Sequence, residues 1–294
     1  MKLLITGANG LVGRALTERS KESGDDVAAY DHQSLDISDA NAVGTLIETV
    51  RPDVVINCAA WTDVDGCESD SERAERVNAL GPELLARNCR RIDALLITIS
   101  TDYVFDGEKD GFYTQRDQPN PISVYGHSKL GGERRAQIAW ARTIVVRSGY
   151  IFGAGGNNFL STISQRAHAG ALINGIDDMF GTPTCARDLA ERLRRLAEID
   201  LPGTYHVVNA GEGASFYEFA RAALESGGCD ARLLSRVSLA DLHRPAPRPR
   251  NSRLRCLLSE AIGLEPLRDW RDALSHFVVN EMSSSPAAVS AGPS

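Results

Sequence analysis

The chain has 294 residues, 43% of them hydrophobic and 24% charged, and a formal net charge of −7. That is the profile of an ordinary globular protein, too long for one small core and too short for three domains. The acidic balance argues against a general nucleic-acid or anionic-membrane surface, and no stretch reaches the ~20 apolar residues of a membrane helix.

The opening MKLLITGANG runs straight into a strand and a glycine turn, which leaves no room for a cleaved signal peptide. A cytoplasmic protein is expected. Strands are predicted at Lys2–Thr6, 27–30, 54–58, 95–100 and 144–148, with amphipathic helical stretches at 11–20, 40–49 and 71–89 between them. The strands are near-continuous apolar runs, as expected when helices cover both faces of a parallel sheet. The layout is therefore α/β, a doubly wound parallel sheet of Rossmann type over 1–149.

After about Gly149 the pattern loosens into a smaller C-terminal lobe over 150–281. Short strands are expected at 171–173, 205–208 and 233–237, and elements near 171–210 are expected to return to the first domain. The run HRPAPRPRNSRL holds too much proline for a helix or a central strand and reads as an ordered loop. Residues 282–294, ending SSSPAAVSAGPS, are expected to be a disordered tail. The six cysteines show no CxxC spacing and read as reduced thiols. No histidine stands at metal-ligand spacing from a cysteine or carboxylate, so no metal is expected.

Strand KLLIT leads directly into Gly7-Ala8-Asn9-Gly10-Leu11-Val12-Gly13 and a helix. Gly7 permits the tight turn, Gly10 lets a diphosphate approach the backbone, and Gly13 lets helix and strand pack closely. A dinucleotide diphosphate would rest on the N–H groups of this turn. Asp31 follows the second strand and can accept hydrogen bonds from ribose hydroxyls, which favours NADH. Arg14, His32 and Ser34 lie near enough to admit NADPH as well. Asp36 could reach the adenine amino group or simply be a solvated turn residue. Ala59 and Ala60, after the third strand, are small where the backbone must lie close to the coenzyme.

The fourth strand ends in Ser100-Thr101-Asp102-Tyr103. Groups at the carboxyl ends of such strands face the ligand crevice, so Thr101 can hydrogen-bond a carbonyl oxygen, although alone it reads more readily as a helix cap or turn hydroxyl. Tyr125 and Lys129, four residues apart, share one helix face. Only four of the 32 basic residues are lysines, so a lysine here is informative. An ammonium beside a phenol is expected to shift the phenol downward from its usual ~10.

Together, Thr6 to Gly13 (TGxxGxxG), Thr101 and the Tyr125/Lys129 pair resemble the extended short-chain dehydrogenases/reductases. More narrowly, the chain is similar to the dTDP-4-dehydrorhamnose reductase family. That likeness rests on WTDVDGCES, STDYVFDG, PNPISVYGHSKLGGE, GGNNF, FGTPT and RPAPRPRNSRL, in that order over roughly residues 1 to 280. The resemblance implies NAD(P)H-dependent reduction of a C4 keto group on a nucleotide-linked sugar, with Thr101, Tyr125 and Lys129 catalytic. It implies coenzyme contacts from the glycine turn, Asp31, Asp36, Ala59, Ala60, Thr62, Tyr125 and Lys129. Thr62, Val64, Thr101, Asp102, Tyr103, Tyr150, Asn158 and Arg253 would border the sugar nucleotide, so the C-terminal lobe would be the substrate-binding one. The loop carrying Arg244, Arg248, Arg250 and Arg253 would meet the diphosphate and base. A homodimer is left open.

Two departures stand out. The family run RTSWVYG reads Arg147-Ser148-Gly149-Tyr150-Ile151-Phe152-Gly153 here, so a phenol replaces the indole. The run DQxGxPT reads Asp177-Asp178-Met179-Phe180-Gly181-Thr182-Pro183-Thr184, so Met179 replaces an amide. Some family members bridge a dimer through glutamates and a metal ion; Ala15 and Arg187 stand where such glutamates would be sought, and the metal is not carried over. The alternatives are a reductase of another dTDP- or GDP-linked keto sugar, or a non-catalytic regulatory homologue. The latter would be marked by loss of the Thr/Tyr/Lys set, which is intact.

Overall fold

The computed structural model describes residues 1–155, 160, 163, 166–167 and 169–279. The expectations for Asn158 and for 282–294 lie outside them. Five strands, β1 (Lys2–Thr6), β2 (Asp26–Tyr30), β3 (Val54–Asn57), β4 (Leu95–Thr101) and β5 (Thr143–Ser148), are joined by the strand Gly203–His206 in one sheet. Its order is Gly203–His206, β5, β4, β3, β1, β2, and every pairing is parallel.

Successive strand residues point to opposite faces, and each face has its own core. Leu3, Ile5, Ile56, Ile97 and Val146 pack with Leu16 of α1 (Leu11–Glu22) and with Leu189 and Leu193 of the helix Ala186–Ile199. Leu4, Val55 and Leu96 pack on the other face with Val43 and Ile47 of α2 (Ala40–Val50), and with Leu85, Cys89 and Ala136. A further cluster gathers Phe152, Ile173, Phe219, Leu234, Trp270 and Phe277. There the strands Ile173–Ile176 and Leu234–Val237 pair in parallel.

The chain order reverses between β1 and β3, which opens a crevice at their carboxyl ends. A buried polar ladder ties these ends together. Thr6 Oγ1 donates to Asn57 Oδ1 at 2.6 Å, Asn57 Nδ2 donates to Thr98 Oγ1 at 3.1 Å, and Asn57 Oδ1 also accepts from Ala59 N at 3.1 Å.

The helix predicted at 71–89 forms, but it is not regular. After α3 (Val64–Ser69) it runs as α4 (Ser71–Glu75), a π turn at Arg76–Leu80 and α5 (Gly81–Ile92). Pro82 has no N–H for the Asn78 carbonyl four residues back, and its ring would crowd that carbonyl in a regular helix. The widened turn resolves both problems. It also frees the Asn78 side chain, which accepts from Trp61 N at 2.8 Å and donates to Trp61 O at 3.0 Å and Ser128 Oγ at 3.1 Å. Ser128 belongs to α6 (Val124–Ala139), the helix that carries Tyr125 and Lys129. No helix among the described residues is long and apolar enough to cross a membrane.

Candidate active site

The glycine turn forms as its sequence requires. Gly7 adopts φ +66°, and a Cβ there would lie 2.6 Å from Ala59 N; a Cβ on Gly13 would lie 2.2 Å from Gly7 O. Both positions therefore exclude any side chain. The N-terminus of α1 has no side-chain cap and no acidic residue in its first turn, whereas α2 is capped by Asp39 and α6 by Ser123. Uncapped helix N–H groups facing a crevice are suited to an anionic diphosphate.

From this turn a cleft of about 590 Å³ extends to the ends of β4 and β5. Its walls bring together Asn9, Gly10, Leu11, Val12, Ala60, Thr62, Thr101, Asp102, Tyr125, Lys129 and Tyr150, all expected from sequence. Two residues not anticipated, Ser100 and Ser148, are 5% and 2% exposed; both line the cleft, and neither hydroxyl has a protein partner. Buried polar groups are rarely left unpaired, so these hydroxyls suit a polar ligand, and the cleft fits a dinucleotide. Their signal in the sequence was only their place at strand ends. A separate recess at the far side of the turn is lined by Asn9, Arg14, Lys21, Asp31 and Ser34. There Asp31 accepts from Asn9 Nδ2 and from Ser34 Oγ, and Ser34's hydrogen bonds hold its carboxyl below the ordinary range.

The helix that carries Tyr125 and Lys129 is anchored at its N-terminus and again at mid-length. Ser123 Oγ accepts from Gly126 N at 3.1 Å, and Val124 N donates to Glu68 Oε1 at 2.9 Å. Further along, Glu133 and Arg147 form a buried ion pair at 2.6 Å between α6 and β5. Tyr125 is 8% exposed and meets the Tyr103 ring edge-on at 6.0 Å. Lys129 is 4% exposed, and its Nζ donates to Ile99 O at 2.7 Å.

These positions correct one expectation. The phenol of Tyr125 is raised, not lowered, because its burial outweighs the opposing hydrogen bond with Thr101. Burial also lowers Lys129, from 10.5 to about 8. Desolvation acts on both groups and favours their neutral forms. A phenol held protonated at neutral pH is a loaded proton donor, which is the form a reduction consumes.

Other expected residues stand elsewhere. Asp36 is exposed outside both recesses, accepting from Ser38 N and Oγ at 2.8 and 2.7 Å. Val64 and Tyr103 pack in a small apolar cluster around Tyr125. Arg244 and Arg248 pair with Asp65 of α3, and Arg248 holds the Asp65 carboxyl down to about 2. Arg253 lies over the rings of Phe112 and Phe180, at 5.5 and 5.7 Å. The two departures from the family pattern touch each other: Tyr150 Oη donates to Met179 O at 3.3 Å. Tyr150 also adopts φ 46°, sparsely populated by residues other than glycine.

The family described as RmlD substrate binding domain matches residues 1–283. The chain is 41% identical over 281 residues to a dTDP-4-dehydrorhamnose reductase of Mycolicibacterium smegmatis, covering 94% of this chain and 85% of that one. The chain belongs to the dTDP-4-dehydrorhamnose reductase family. The crystal structure of a family member from Bacillus anthracis in complex with NADP superposes with a TM-score of 0.92 at 32% identity, covering 95% of this chain and 99% of that one. One from Clostridium acetobutylicum superposes with a TM-score of 0.91 at 36% identity, with the same coverage. As a family member the chain is an NAD(P)-dependent oxidoreductase, and the Thr/Tyr/Lys set of the short-chain reductases is complete in it.

Proposed function

We propose that the protein reduces the C4 keto group of dTDP-4-dehydro-L-rhamnose, giving dTDP-L-rhamnose, with NADPH or NADH. The observation that carries this reading is the convergence of Thr101, Tyr125 and Lys129 in one cleft with an uncapped helix N-terminus. The glycine turn and the first N–H groups of α1 hold the coenzyme diphosphate, Asp31 the adenosine ribose, and Lys129 the nicotinamide ribose. When bound, the reduced nicotinamide supplies the hydride.

The chain's own task is the proton. Tyr125, kept neutral by burial, gives its hydroxyl proton to the ketone oxygen as charge develops there; such positioned acids contribute ~10² to 10⁴ in rate. The buried walls exclude water from that transfer. Thr62 and Tyr150 border the sugar on the cleft side.

The test is a coupled assay starting from dTDP-glucose with the upstream dehydratase and epimerase, run with NADH and NADPH separately. Coenzyme oxidation that depends on all the components is expected; none with either coenzyme removes the reading. The Tyr150–Met179 contact favours a second reading, in which the wall reshaped by these two residues accepts a different nucleotide-linked keto sugar. A panel of sugar nucleotides separates the two.

A further inference from the structure

Asp102 is 3% exposed, and both of its carboxylate oxygens are engaged within the protein. Oδ1 accepts from Thr101 Oγ1 at 3.0 Å, and Oδ2 accepts from Ser252 Oγ. A buried carboxylate is costly unless its lone pairs are met by donors, so this arrangement is built for a purpose. The fold makes room for it at Gly149, where a Cβ would lie 2.4 Å from Asp102 Cγ.

Ser252 comes from a distant part of the chain, 150 residues on. It is 2% exposed and is fixed by its backbone, whose N–H donates to Phe180 O at 2.8 Å. On one side of it Phe180 N donates to Arg250 O at 2.7 Å; on the other, Tyr113 N donates to Arg253 O at 2.7 Å. The serine hydroxyl is thus held against Asp102 from two directions.

The hydroxyl of Thr101 has one proton and two lone pairs. The Asp102 carboxylate takes the proton, and Tyr103 N donates into one lone pair at 3.2 Å. The remaining lone pair is left for the cleft that Thr101 shares with Tyr125. The orientation of a catalytic hydroxyl is therefore set by a carboxylate, which is itself set by a serine from the C-terminal half.

Resting on the reductase reading above, we propose that Asp102 and Ser252 are positioning residues for Thr101. Ser252 fixes the carboxylate, and the carboxylate fixes the direction in which the Thr101 hydroxyl is presented to the cleft beside Tyr125. Asp102 lines the cleft, and it acts on Thr101 as well as standing where the sugar is expected. The segment carrying Ser252 becomes part of the proton-donating machinery as well as a wall of the substrate lobe.

The experiment compares Ser252→Ala and Ser252→Thr with the wild type. Ser252→Ala should lower kcat roughly tenfold through loss of orientation and leave coenzyme Kd unchanged. Ser252→Thr retains a hydroxyl and should restore most of the rate. Burial raises Asp102 to about 6 and the Ser252 hydrogen bond opposes that rise, so Ser252→Ala should move the acid limb of the kcat profile to higher pH. The groups facing Asp102 are the phenols of Tyr103 on its own turn, Tyr125 on α6 and Tyr150 after β5. Burial raises all three, and none titrates near pH 6.

Carboxyl-carbon NMR of Asp102 reads the same shift without turnover, so it remains decisive even if the assigned sugar is wrong. An Asp102 titration unmoved in Ser252→Ala would overturn the proposal. So would a rate loss that Ser252→Thr does not repair, since that would reduce Ser252 to packing.

Discussion

The cleft beside the glycine turn and the recess on its far side are built on opposite principles. In the cleft Thr101, Asp102, Tyr125 and Lys129 are all less than one-tenth exposed, and desolvation governs the ionisation of Asp102, Tyr125 and Lys129. In the recess Asn9, Arg14, Lys21 and Ser34 are exposed, and the shift of Asp31 comes from local hydrogen bonds in water. Preorganised dipoles gain strength where water is excluded, whereas exposed charges are screened and contribute little. Rate should therefore depend steeply on the buried cleft, and coenzyme choice only weakly on the open recess.

The largest effect should come from Tyr125→Phe, which removes the proton donor and little else. A fall in kcat of at least ~10² is expected, with coenzyme binding retained in a fluorescence titration; unchanged turnover would assign the proton to another group. Next comes Glu133→Gln, which leaves Arg147 buried without its carboxylate partner. Breaking such a pair costs about 3 to 5 kcal/mol, measurable by urea denaturation. His206, lowered to about 3 by burial and by Arg147, offers no replacement charge.

Lys129→Met should lower activity but change stability in a pH-dependent way. Because Lys129 is about 8 in the folded chain against an ordinary 10.5, the unfolded chain binds more protons between those values. Wild-type stability should therefore gain a rising component from about pH 8 upward, complete near 10.5, which the methionine variant lacks. Parallel denaturation midpoints for the two proteins from pH 7 to 10 would show that the amine is not desolvated. The smallest effect is in the open recess. Asp31→Ala should shift the NADPH to NADH ratio of kcat/KM toward NADPH by no more than about fivefold, because Arg14 and Lys21 remain beside the recess.

The same contrast explains what could be read from the sequence. β1, β3, β4 and β5 are legible because burial on both faces leaves apolar runs such as VVIN, whereas β2 lies half-exposed at the sheet edge; the glycine turn is legible because Gly7 and Gly13 permit no substitute. Tyr125 and Lys129 are one helical turn apart, so local periodicity brings them together. Ser252 and Asp102 meet only through tertiary structure, and nothing in HRPAPRPRNSRL marks its serine over its four arginines. The direction of Tyr125's shift was missed for a related reason. A neighbouring cation can be read from spacing, whereas desolvation depends on every element packed around the ring. The widened turn within the helix at 71–89 is legible in principle, since Pro82 forbids the regular hydrogen bond to Asn78.

That widened turn has a consequence for how this chain can vary. A π turn is one residue inserted into an α-helix, and each residue advances a helix by about 100°. Deleting one of residues 76–80 would remove that extra residue and let the segment wind regularly, and the residues beyond would keep their face rather than swing by that angle. Leu84, Leu85 and Cys89 would stay buried against the sheet, while Asn78 would lose the widened turn from which it reaches both Trp61 and Ser128. A residue lost from this stretch would spare the sheet's packing and disturb the seat of the helix that carries Tyr125 and Lys129.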